Sequence, residues 1–162
     1  GMTVWLIKPS IDTRDGADII KSRIGLQNRA TVITPEDNII ERYRELGNRD
    51  VIIADESQFF TPEQIDQLRE LVDFDDIPVM CFGLRTDFLT HLFPGSMRLM
   101  ELADSMTEIK TVCSCGKKAT VNARFDENGK ITTVGDQVCL GGNDRYIAMC
   151  HRCWKQRIKD QG

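Results

Sequence analysis

Residues 51–64, VIIADESQFFTPEQ, carry the pattern that decides the fold class. Four apolar residues run directly into the adjacent acids Asp55 and Glu56. A short continuous apolar run is typical of a strand buried on both faces, as in a parallel sheet. Ligands of such sheets bind at the carboxyl ends of the strands, which is where these two acids stand. The stretch therefore predicts a central strand with a candidate site at its end.

The two acids leave more than one interpretation open. Acids are common in the caps and turns that follow strands, so an ordinary turn fits the pattern. An aspartate in this place is also the usual partner of Mg²⁺ on a nucleoside triphosphate. A glutamate one residue later, in a partly desolvated site, could accept a proton from an attacking hydroxyl group.

Strand and helix patterns alternate on both sides of this stretch. Strands are predicted for TVWLIKP (3–9), ATVIT (30–34) and IPVMCFGL (77–84). Helices are predicted for PEDNIIERYRELG from Pro35, for TPEQIDQLRELVD with a capping signal at Thr61, and for GSMRLMELADS. Apolar strands separated by helices predict an α/β fold with a parallel sheet.

The pattern changes near residue 108. The remaining sequence alternates polar and apolar residues, contains the turn signal DENGK, and ends in what reads as a helical turn. We therefore expect two domains, an α/β core over residues 1–110 and a small β-rich region over residues 111–162.

Six cysteines fall into two groups. Cys81 and Cys139 stand alone in apolar runs, where a free cysteine is usually a small buried hydrophobe. The other four form the close pairs VCSCG and MCHRCW, and four thiolates around a d¹⁰ cation make a closed, structural zinc site. The predicted zinc ligands are Cys113, Cys115, Cys150 and Cys153; a redox pair and a chance arrangement are the alternatives.

Composition excludes several classes of protein. The chain has 162 residues, of which 41% are hydrophobic and 28% are charged, as in a globular protein with a real core. Its net charge of −4 argues against a nucleic-acid partner. No apolar run approaches the roughly 18 residues of a membrane span, and the N-terminus does not have the pattern of a secretory signal. We therefore expect no membrane association and a cytoplasmic location.

An ordered set of short motifs resembles the zinc-containing class of thymidine kinases. The motifs are DESQFF, GLRTDF, CSCG with CHRC, and GGNDRY. The resemblance implies a P-loop NTPase (RecA-like) parallel-sheet core and a small zinc-binding lasso domain. It also implies transfer of the γ-phosphoryl group of ATP to the 5′-hydroxyl of thymidine in deoxynucleoside salvage, structural zinc, Mg²⁺ with ATP, thymidine or its triphosphate as ligand, and a homo-oligomer, usually a tetramer.

The same resemblance assigns roles to individual residues. It makes Glu56 the general base, associates Asp55 with Mg²⁺, and gives nucleotide contacts to Gln58 and Arg14. The implied thymidine-binding residues are Phe59, Leu84, Phe88, Phe93, Gln137, Cys139, Leu140, Gly141 and Tyr146, with backbone groups of residues 137–141 at the base edge. Core packing of Phe88 and Phe93, and a solvated Arg14, are the competing interpretations.

The chain departs from the family in two respects, of which the smaller is Asn122, where the family often has Thr or an aliphatic residue beside the base. The phosphate-binding motif G-x-x-x-x-G-K-[ST] does not occur in the 162 residues. The pattern of TVWLIKP matches the family's second strand, so we expect that the first strand and the phosphate loop are missing. Either a fragment or a genuine short form would explain this. We expect little or no kinase activity from this chain, and a non-catalytic, zinc-stabilised nucleoside-binding or structural module is the alternative function.

Overall fold

A computed structural model describes residues 1–10, 19–21, 27–138 and 145–162. The chain divides into two compact units. The first unit consists of Gly1–Arg85 and Pro94–Asp104, and the second consists of Thr86–Phe93 and Ser105–Gly162. The division into domains at residue 110 stays a prediction.

A four-stranded sheet lies at the centre of the first unit. The strands of this unit are β1 (Val4–Pro9), β2 (Ile19–Lys21), β3 (Gln27–Arg29), β4 (Thr31–Ile33), β5 (Val51–Ala54) and β6 (Val79–Cys81). The sheet has the order β4-β1-β5-β6, and all of its neighbouring strands are parallel. Strands β2 and β3 form a separate antiparallel pair. The predicted α/β fold with a parallel sheet is confirmed.

Helices cover one face of this sheet. They are α1 (Ile39–Leu46), α2 (Pro62–Asp75) and α3 (Pro94–Leu102). Apolar side chains of β1 and β5 pack with α1 and α2 in one core, against which Leu99 and Leu102 of α3 are also packed. The core residues are Trp5, Ile7, Ile33, Ile39, Ile40, Tyr43, Ile52, Ala54, Phe60, Ile65, Leu68 and Leu71.

The predicted helix boundaries are partly right. Helix α2 begins as expected, with a capping box in which the Thr61 side chain accepts from the backbone N–H of Gln64. Helix α1, however, begins at Ile39 and not at Pro35. Thr34 and Asp37 close a turn through two hydrogen bonds of 2.7 and 3.0 Å, and Asn38 then caps the helix by accepting from the Glu41 N–H.

Two other predicted elements differ in length. The strand predicted over residues 77–84 is reduced to Val79–Cys81, although Phe82 still donates to the carbonyl oxygen of Ala54 at 2.8 Å. Cys81 is half-buried, so it is less enclosed than predicted. The final helical turn is in fact an 11-residue helix, α4 (His151–Gln161).

The second unit contains an antiparallel ribbon backed by α4. Its strands are β7 (Thr111–Val112), β8 (Lys118–Ala119), β9 (Val121–Phe125) and β10 (Arg145–Met149), paired β7 with β8 and β9 with β10. The core of this unit is formed by Val121, Ala123, Phe125 and Ile131, with Met149, Trp154 and Ile158 against it. The predicted turn at DENGK is present, closed by the Asp126 N–H to the Lys130 carbonyl oxygen at 2.9 Å.

Within the described ranges, we find no helix with both the length and the apolar character needed to cross a membrane.

Candidate active site and metal centre

The turn after β5 holds the two predicted acids. The N–H of Asp55 donates to the carbonyl oxygen of Ile7 at 3.0 Å, so the pairing of β1 with β5 continues to the first acid. Glu56 then has φ 49° and ψ 40°, which is the left-handed region. For a residue with a Cβ this conformation costs roughly 1–3 kcal/mol, and such residues cluster at functional sites. The Asp55 carboxylate supports the turn by accepting from the Glu56 N–H at 2.9 Å.

A single 3₁₀ turn, Ser57–Phe59, follows the acids and is fixed to the ends of two strands. The N–H of Ser57 donates to the carbonyl oxygen of Phe82, just after β6, at 2.8 Å. Its hydroxyl donates to the carbonyl oxygen of Ala54 at 3.0 Å, and the side chain is fully buried. Because Ser57 is tied to both strands, the backbone that presents the acids has little freedom to move.

The Gln58 side chain forms a hydrogen bond with the Glu56 carboxylate. This side chain is 2% exposed. The amide nitrogen donates to Glu56 Oε2 at 2.5 Å, and the amide oxygen accepts from the N–H of Leu84 at 3.0 Å. Both ends of the amide are therefore used inside the fold. The nucleotide contact that the resemblance assigned to Gln58 stays a prediction.

Two glycines permit this close packing. A Cβ on Gly83 would lie 2.4 Å from the amide oxygen of Gln58. A Cβ on Gly95, in the first turn of α3, would lie 2.5 Å from the carbonyl oxygen of Phe60 and 2.9 Å from that of Gln58. Any side chain at Gly95 would thus push α3 away from the turn that carries the acids.

Lys8 is a charged residue at this end of the sheet that the sequence patterns did not single out. It follows Ile7 in β1, and its side chain is 1% exposed. A buried ammonium group is retained only where the fold supplies polar or charged partners, and Lys8 does make an interaction within the structure. The signal in the sequence was a lysine at the end of the apolar run VWLIKP.

The second unit contains the two predicted pocket phenylalanines in a tight loop, Thr86–Phe93. Phe88 is 2% exposed and Phe93 is 4% exposed. The guanidinium carbon of Arg124, on β9, lies 5.1 Å from the centre of the Phe88 ring, within the range of a cation–π contact. Arg124 is 8% exposed and is a second residue that the sequence patterns missed.

Gln137 is brought to the same loop. Its amide nitrogen donates to Asp87 Oδ2 at 2.8 Å and to the carbonyl oxygen of Leu92 at 3.3 Å. Tyr146 lies on β10 opposite Arg124 and is 45% exposed. In the first unit, Phe59 is half-buried and Leu84 is 43% exposed. The predicted site residues Arg14, Cys139, Leu140 and Gly141 lie outside the described residues.

The four predicted zinc ligands form one cluster. The sulfur atoms of Cys113, Cys115, Cys150 and Cys153 all lie within 4.8 Å of one another. The Sγ atoms of Cys115 and Cys150 are 3.7 Å apart. A tetrahedral shell with metal–sulfur bonds near 2.3 Å has edges of about 3.8 Å, so this spacing fits a bound cation. The cluster could therefore hold a metal ion, in agreement with the predicted zinc site.

Local structure explains how the two cysteine pairs converge. Gly116 has φ +84°, and its N–H donates to the carbonyl oxygen of Cys113 at 2.8 Å, which turns the chain just after the first pair. Cys150 is the N-cap of α4, and its sulfur accepts from the Cys153 N–H at 3.4 Å. The second pair thus occupies the first turn of a helix, as its spacing predicted.

Proximity also alters the acidity of these thiols. The pKa of Cys113 is lowered to about 6, first by the backbone N–H of Cys115 and then by that of Cys150. The pKa of Cys153 is raised, chiefly because its thiol is hydrogen-bonded to the sulfurs of Cys115 and Cys150. Thiolates are the metal-binding form, and a divalent cation would remove the repulsion that keeps the last proton on the cluster.

Comparison with known proteins identifies the family. A family model described as "Thymidine kinase" matches residues 1–154. The chain belongs to the thymidine kinase family. A thymidine kinase of Ruegeria pomeroyi is 44% identical over 165 residues, which cover 100% of this chain and 83% of the relative. A thymidine kinase of Vibrio parahaemolyticus is 45% identical over 161 residues, covering 98% and 84%.

The resemblance stated from the motifs is thereby confirmed, and the parallel-sheet core with its cysteine cluster agrees with a thymidine kinase fold. A third thymidine kinase, from Legionella pneumophila, is 45% identical over 160 residues, which cover 96% of this chain and 77% of that protein. Membership in the family does not assign roles to the individual site residues.

Proposed function

We propose that this member of the thymidine kinase family binds thymidine and activates its 5′-hydroxyl for attack on the γ-phosphorus of ATP. The observation that carries the proposal is the position of Glu56. Its carboxylate follows the carboxyl end of a parallel strand, is held by Gln58 at 2.5 Å, and rests on a left-handed backbone. An acid fixed in this way is suited to accept a proton at a defined place.

In the proposed reaction Glu56 accepts the proton of the 5′-hydroxyl as the hydroxyl oxygen forms its bond to the γ-phosphorus. The bond between that phosphorus and the oxygen of ADP breaks, and ADP leaves with the electron pair. Phosphoryl transfer depends mostly on positioning and on charge neutralisation. Mg²⁺ bound with ATP would supply charge neutralisation, and Asp55 offers the carboxylate oxygens that this ion prefers. The further phosphate contact that the resemblance gives to Arg14 belongs to the same proposal.

For the nucleoside we propose the contacts that the resemblance implies. The residues that it assigns to thymidine are Phe59, Leu84, Phe88, Phe93, Gln137, Cys139, Leu140, Gly141 and Tyr146. Aromatic side chains suit a flat pyrimidine, and the cation–π contact of Arg124 supports the orientation of the Phe88 ring. For the cysteine cluster we propose structural zinc, because four sulfur ligands leave no position open for catalysis.

A second candidate function is a zinc-stabilised module that binds the nucleoside without transferring phosphate. The sequence observation that favours it is that G-x-x-x-x-G-K-[ST] does not occur in the 162 residues. The backbone N–H groups and the lysine of that motif hold the β- and γ-phosphates in P-loop kinases. Under this second candidate the chain would bind thymidine but transfer phosphate slowly or not at all.

The test uses thymidine binding first and turnover second. Isothermal titration with thymidine should show binding to the chain, and an ADP-release assay should show turnover that is low but falls further in Glu56→Gln. Glu63→Gln is the matched control, because Glu63 is an exposed acid in the first turn of α2. If thymidine does not bind, both candidates fail. If it binds and turnover is at background in all three proteins, the non-catalytic module is favoured.

We also propose a homo-oligomer, which the resemblance supports as a tetramer in most of the family, and the cytoplasmic location expected from the sequence patterns. Light scattering of the purified protein tests the first, and a monomer at micromolar concentration would contradict it. Fractionation of expressing cells tests the second.

A further inference from the structure

The loop Thr86–Phe93 is built around one buried carboxylate. Asp87 is 3% exposed, and its Oδ1 accepts from the N–H groups of Leu89 at 2.8 Å and His91 at 3.0 Å. The backbone N–H of Asp87 donates to the carbonyl oxygen of His91 at 2.8 Å. One oxygen of Asp87 is therefore committed to closing the loop that carries Phe88 and Phe93.

The other oxygen of Asp87 reaches a different segment of the second unit. Oδ2 accepts from the amide nitrogen of Gln137, which is 50 residues away in the sequence, at 2.8 Å. The same nitrogen donates to the carbonyl oxygen of Leu92 at 3.3 Å. A hydrogen bond to an ionised carboxylate is roughly twice as strong as one between neutral groups. This contact therefore ties the segment around Gln137 to both ends of the phenylalanine loop.

The hydrogen bond between Gln137 and Asp87 lies next to the aromatic ring of Phe88. Phe88 follows Asp87, and a Cβ on Gly135, two residues before Gln137, would lie 3.8 Å from Phe88 Cζ and 3.7 Å from Arg124 Nη1. The position of Gly135 is therefore close to the Phe88 ring, with which the guanidinium group of Arg124 makes a cation–π contact. If the segment around Gln137 moved, the surroundings of the ring would change on this side.

The loop is also strained, which explains why it needs such a tie. Thr90 has φ +72°, although it is β-branched and not glycine. A β-branched residue in this region is an outlier that persists only when its surroundings hold it. The hydrogen bonds of Asp87 to the amides on either side, at Leu89 and His91, provide that restraint.

We propose that Asp87 and Gln137 are a pair of positioning residues that set the aromatic wall of the thymidine site. The side chains of the pair act through Phe88, since the Gln137 amide nitrogen is already used by Asp87 and Leu92, and the thymidine contact proposed for Gln137 is one of its backbone groups. This inference rests on the proposed function for the identity of the ligand. Neither the motifs nor the family membership assigns Asp87 any role.

The experiment first places carboxylates at both positions of the pair and then exchanges the carboxylate and the amide between the two positions. Gln137→Glu places a second carboxylate against Asp87 and breaks the tie. Adding Asp87→Asn to that variant restores the bond between the two side chains in reverse, because the asparagine oxygen still accepts from Leu89 and His91 while its amide nitrogen donates to the carboxylate introduced at position 137. The longer bond to the Leu92 carbonyl oxygen is not restored, so we expect recovery to be large but incomplete. The control is Gln156→Leu, which removes another glutamine–aspartate bond of 2.8 Å, Gln156 to Asp160, from the exposed face of α4.

Two readouts separate this inference from the proposed function. Hydrogen exchange of the ligand-free full chain should speed up over residues 86–93 and 133–138 in Gln137→Glu, recover in the double variant, and stay unchanged in the control. Thymidine affinity by titration should fall by about 10-fold to 100-fold and recover likewise, which is the range for one hydrogen bond to a charged group.

Each outcome is decisive. Unchanged exchange in Gln137→Glu overturns the tie, whatever the affinity. Faster exchange with unaltered thymidine affinity overturns the positioning role, and so does a double variant that fails to recover. If wild-type protein does not bind thymidine at all, the proposed function fails and the positioning role fails with it, whereas the exchange data still report on the tie itself.

Discussion

The amide nitrogen of Gln58 donates to Glu56 Oε2 at 2.5 Å, while the amide oxygen of Gln58 accepts from the N–H of Leu84. The orientation of the candidate base is thus set by a buried side chain that is itself fixed by the backbone just after β6. Removing the amide should release both partners at once.

Gln58→Leu keeps a side chain of similar size but removes the acceptor for Leu84 and the donor for Glu56. We expect the free energy of unfolding to fall by about 1–3 kcal/mol, because the buried Gln58 side chain loses its hydrogen bonds to both Glu56 and Leu84. Urea unfolding followed by fluorescence measures this. Gln156→Leu, which removes an exposed i,i+4 bond on α4, should change the stability by less than about 0.5 kcal/mol. Equal stabilities of the two variants would contradict the role of Gln58.

Gly95→Ala tests the close approach of α3 to the turn that carries the acids. Alanine normally stabilises a helix relative to glycine by up to about 1 kcal/mol. Here the new methyl group would meet the carbonyl oxygens of Phe60, Gln58 and Ser57 at 2.5–3.0 Å, so we expect a loss of about 1–3 kcal/mol. Thermal or urea unfolding supplies the measurement.

The comparison variant for Gly95→Ala is Gly47→Ala. A Cβ on Gly47 meets nothing within 4 Å, but the residue has φ +82°, so only backbone strain opposes the substitution. The loss at Gly47 should be about 1–3 kcal/mol, because φ +82° with ψ 169° lies in a region that essentially only glycine adopts. A Gly95→Ala protein that is as stable as wild type would show that α3 can move away without cost.

Metal removal should destabilise the chain. We expect purified protein to contain stoichiometric zinc, and a strong chelator to lower its melting temperature, because a structural metal bound only by the folded state contributes folding free energy. Cys115→Ser should lose the metal, since it removes one of four sulfur ligands. Cys81→Ser is the matched control and should retain the metal in elemental analysis. Full zinc content in Cys115→Ser would contradict the proposed centre.

Cys81 should react slowly with alkylating agents. Burial raises the pKa of its thiol to about 11, partly offset by a hydrogen bond with Ser57. At pH 8 little thiolate is therefore present, and thiolate is the reactive form. Folding raises the pKa of Cys81 above its ordinary value of 9.0, so the neutral thiol is favoured in the folded state. Its contribution to the free energy of unfolding is fully present below pH 9.0 and is lost as the pH rises toward 11. Mass spectrometry after iodoacetamide treatment should show Cys81 unmodified.

The exposed thiol of Cys115 in chelated protein provides the contrast for that measurement. It should be alkylated well before Cys81 at the same pH. Equal rates for the two cysteines would mean that the environment of Cys81 does not suppress its ionisation.

Much of the fold could be predicted because its determinants are local. The apolar run before Asp55 predicts β5, and Thr61 with Pro62 predicts the start of α2, since each signal lies within a few residues of the element that it specifies. The two cysteine pairs were likewise sufficient for the metal cluster. The start of α1 was missed because Thr34 and Asp37 form hydrogen bonds with each other in a turn. The helix therefore begins only at Ile39, after the cap residue Asn38.

The supporting residues of the candidate site could not be predicted, because their roles depend on partners far away in the sequence. No periodic pattern shows that the Gln58 amide reaches both Glu56 and Leu84, or that Asp87 joins its own loop to Gln137. The left-handed backbone of Glu56 is equally hidden, since glutamate has no preference for that region. Each of these features is set by tertiary contacts and not by the local sequence.

The sulfur of Cys150 belongs to two structures at once, the thiolate cluster and the first turn of α4. A segment of 11 residues is too short to be helical in water by itself and depends on its ends and its packing, so α4, although Trp154 and Ile158 still pack against the ribbon, should fray at its first turn when the cluster loses its cation. Circular dichroism at about 222 nm would then follow metal loss with no added probe, which is useful if the bound cation is zinc, a d¹⁰ ion without a d–d absorption band.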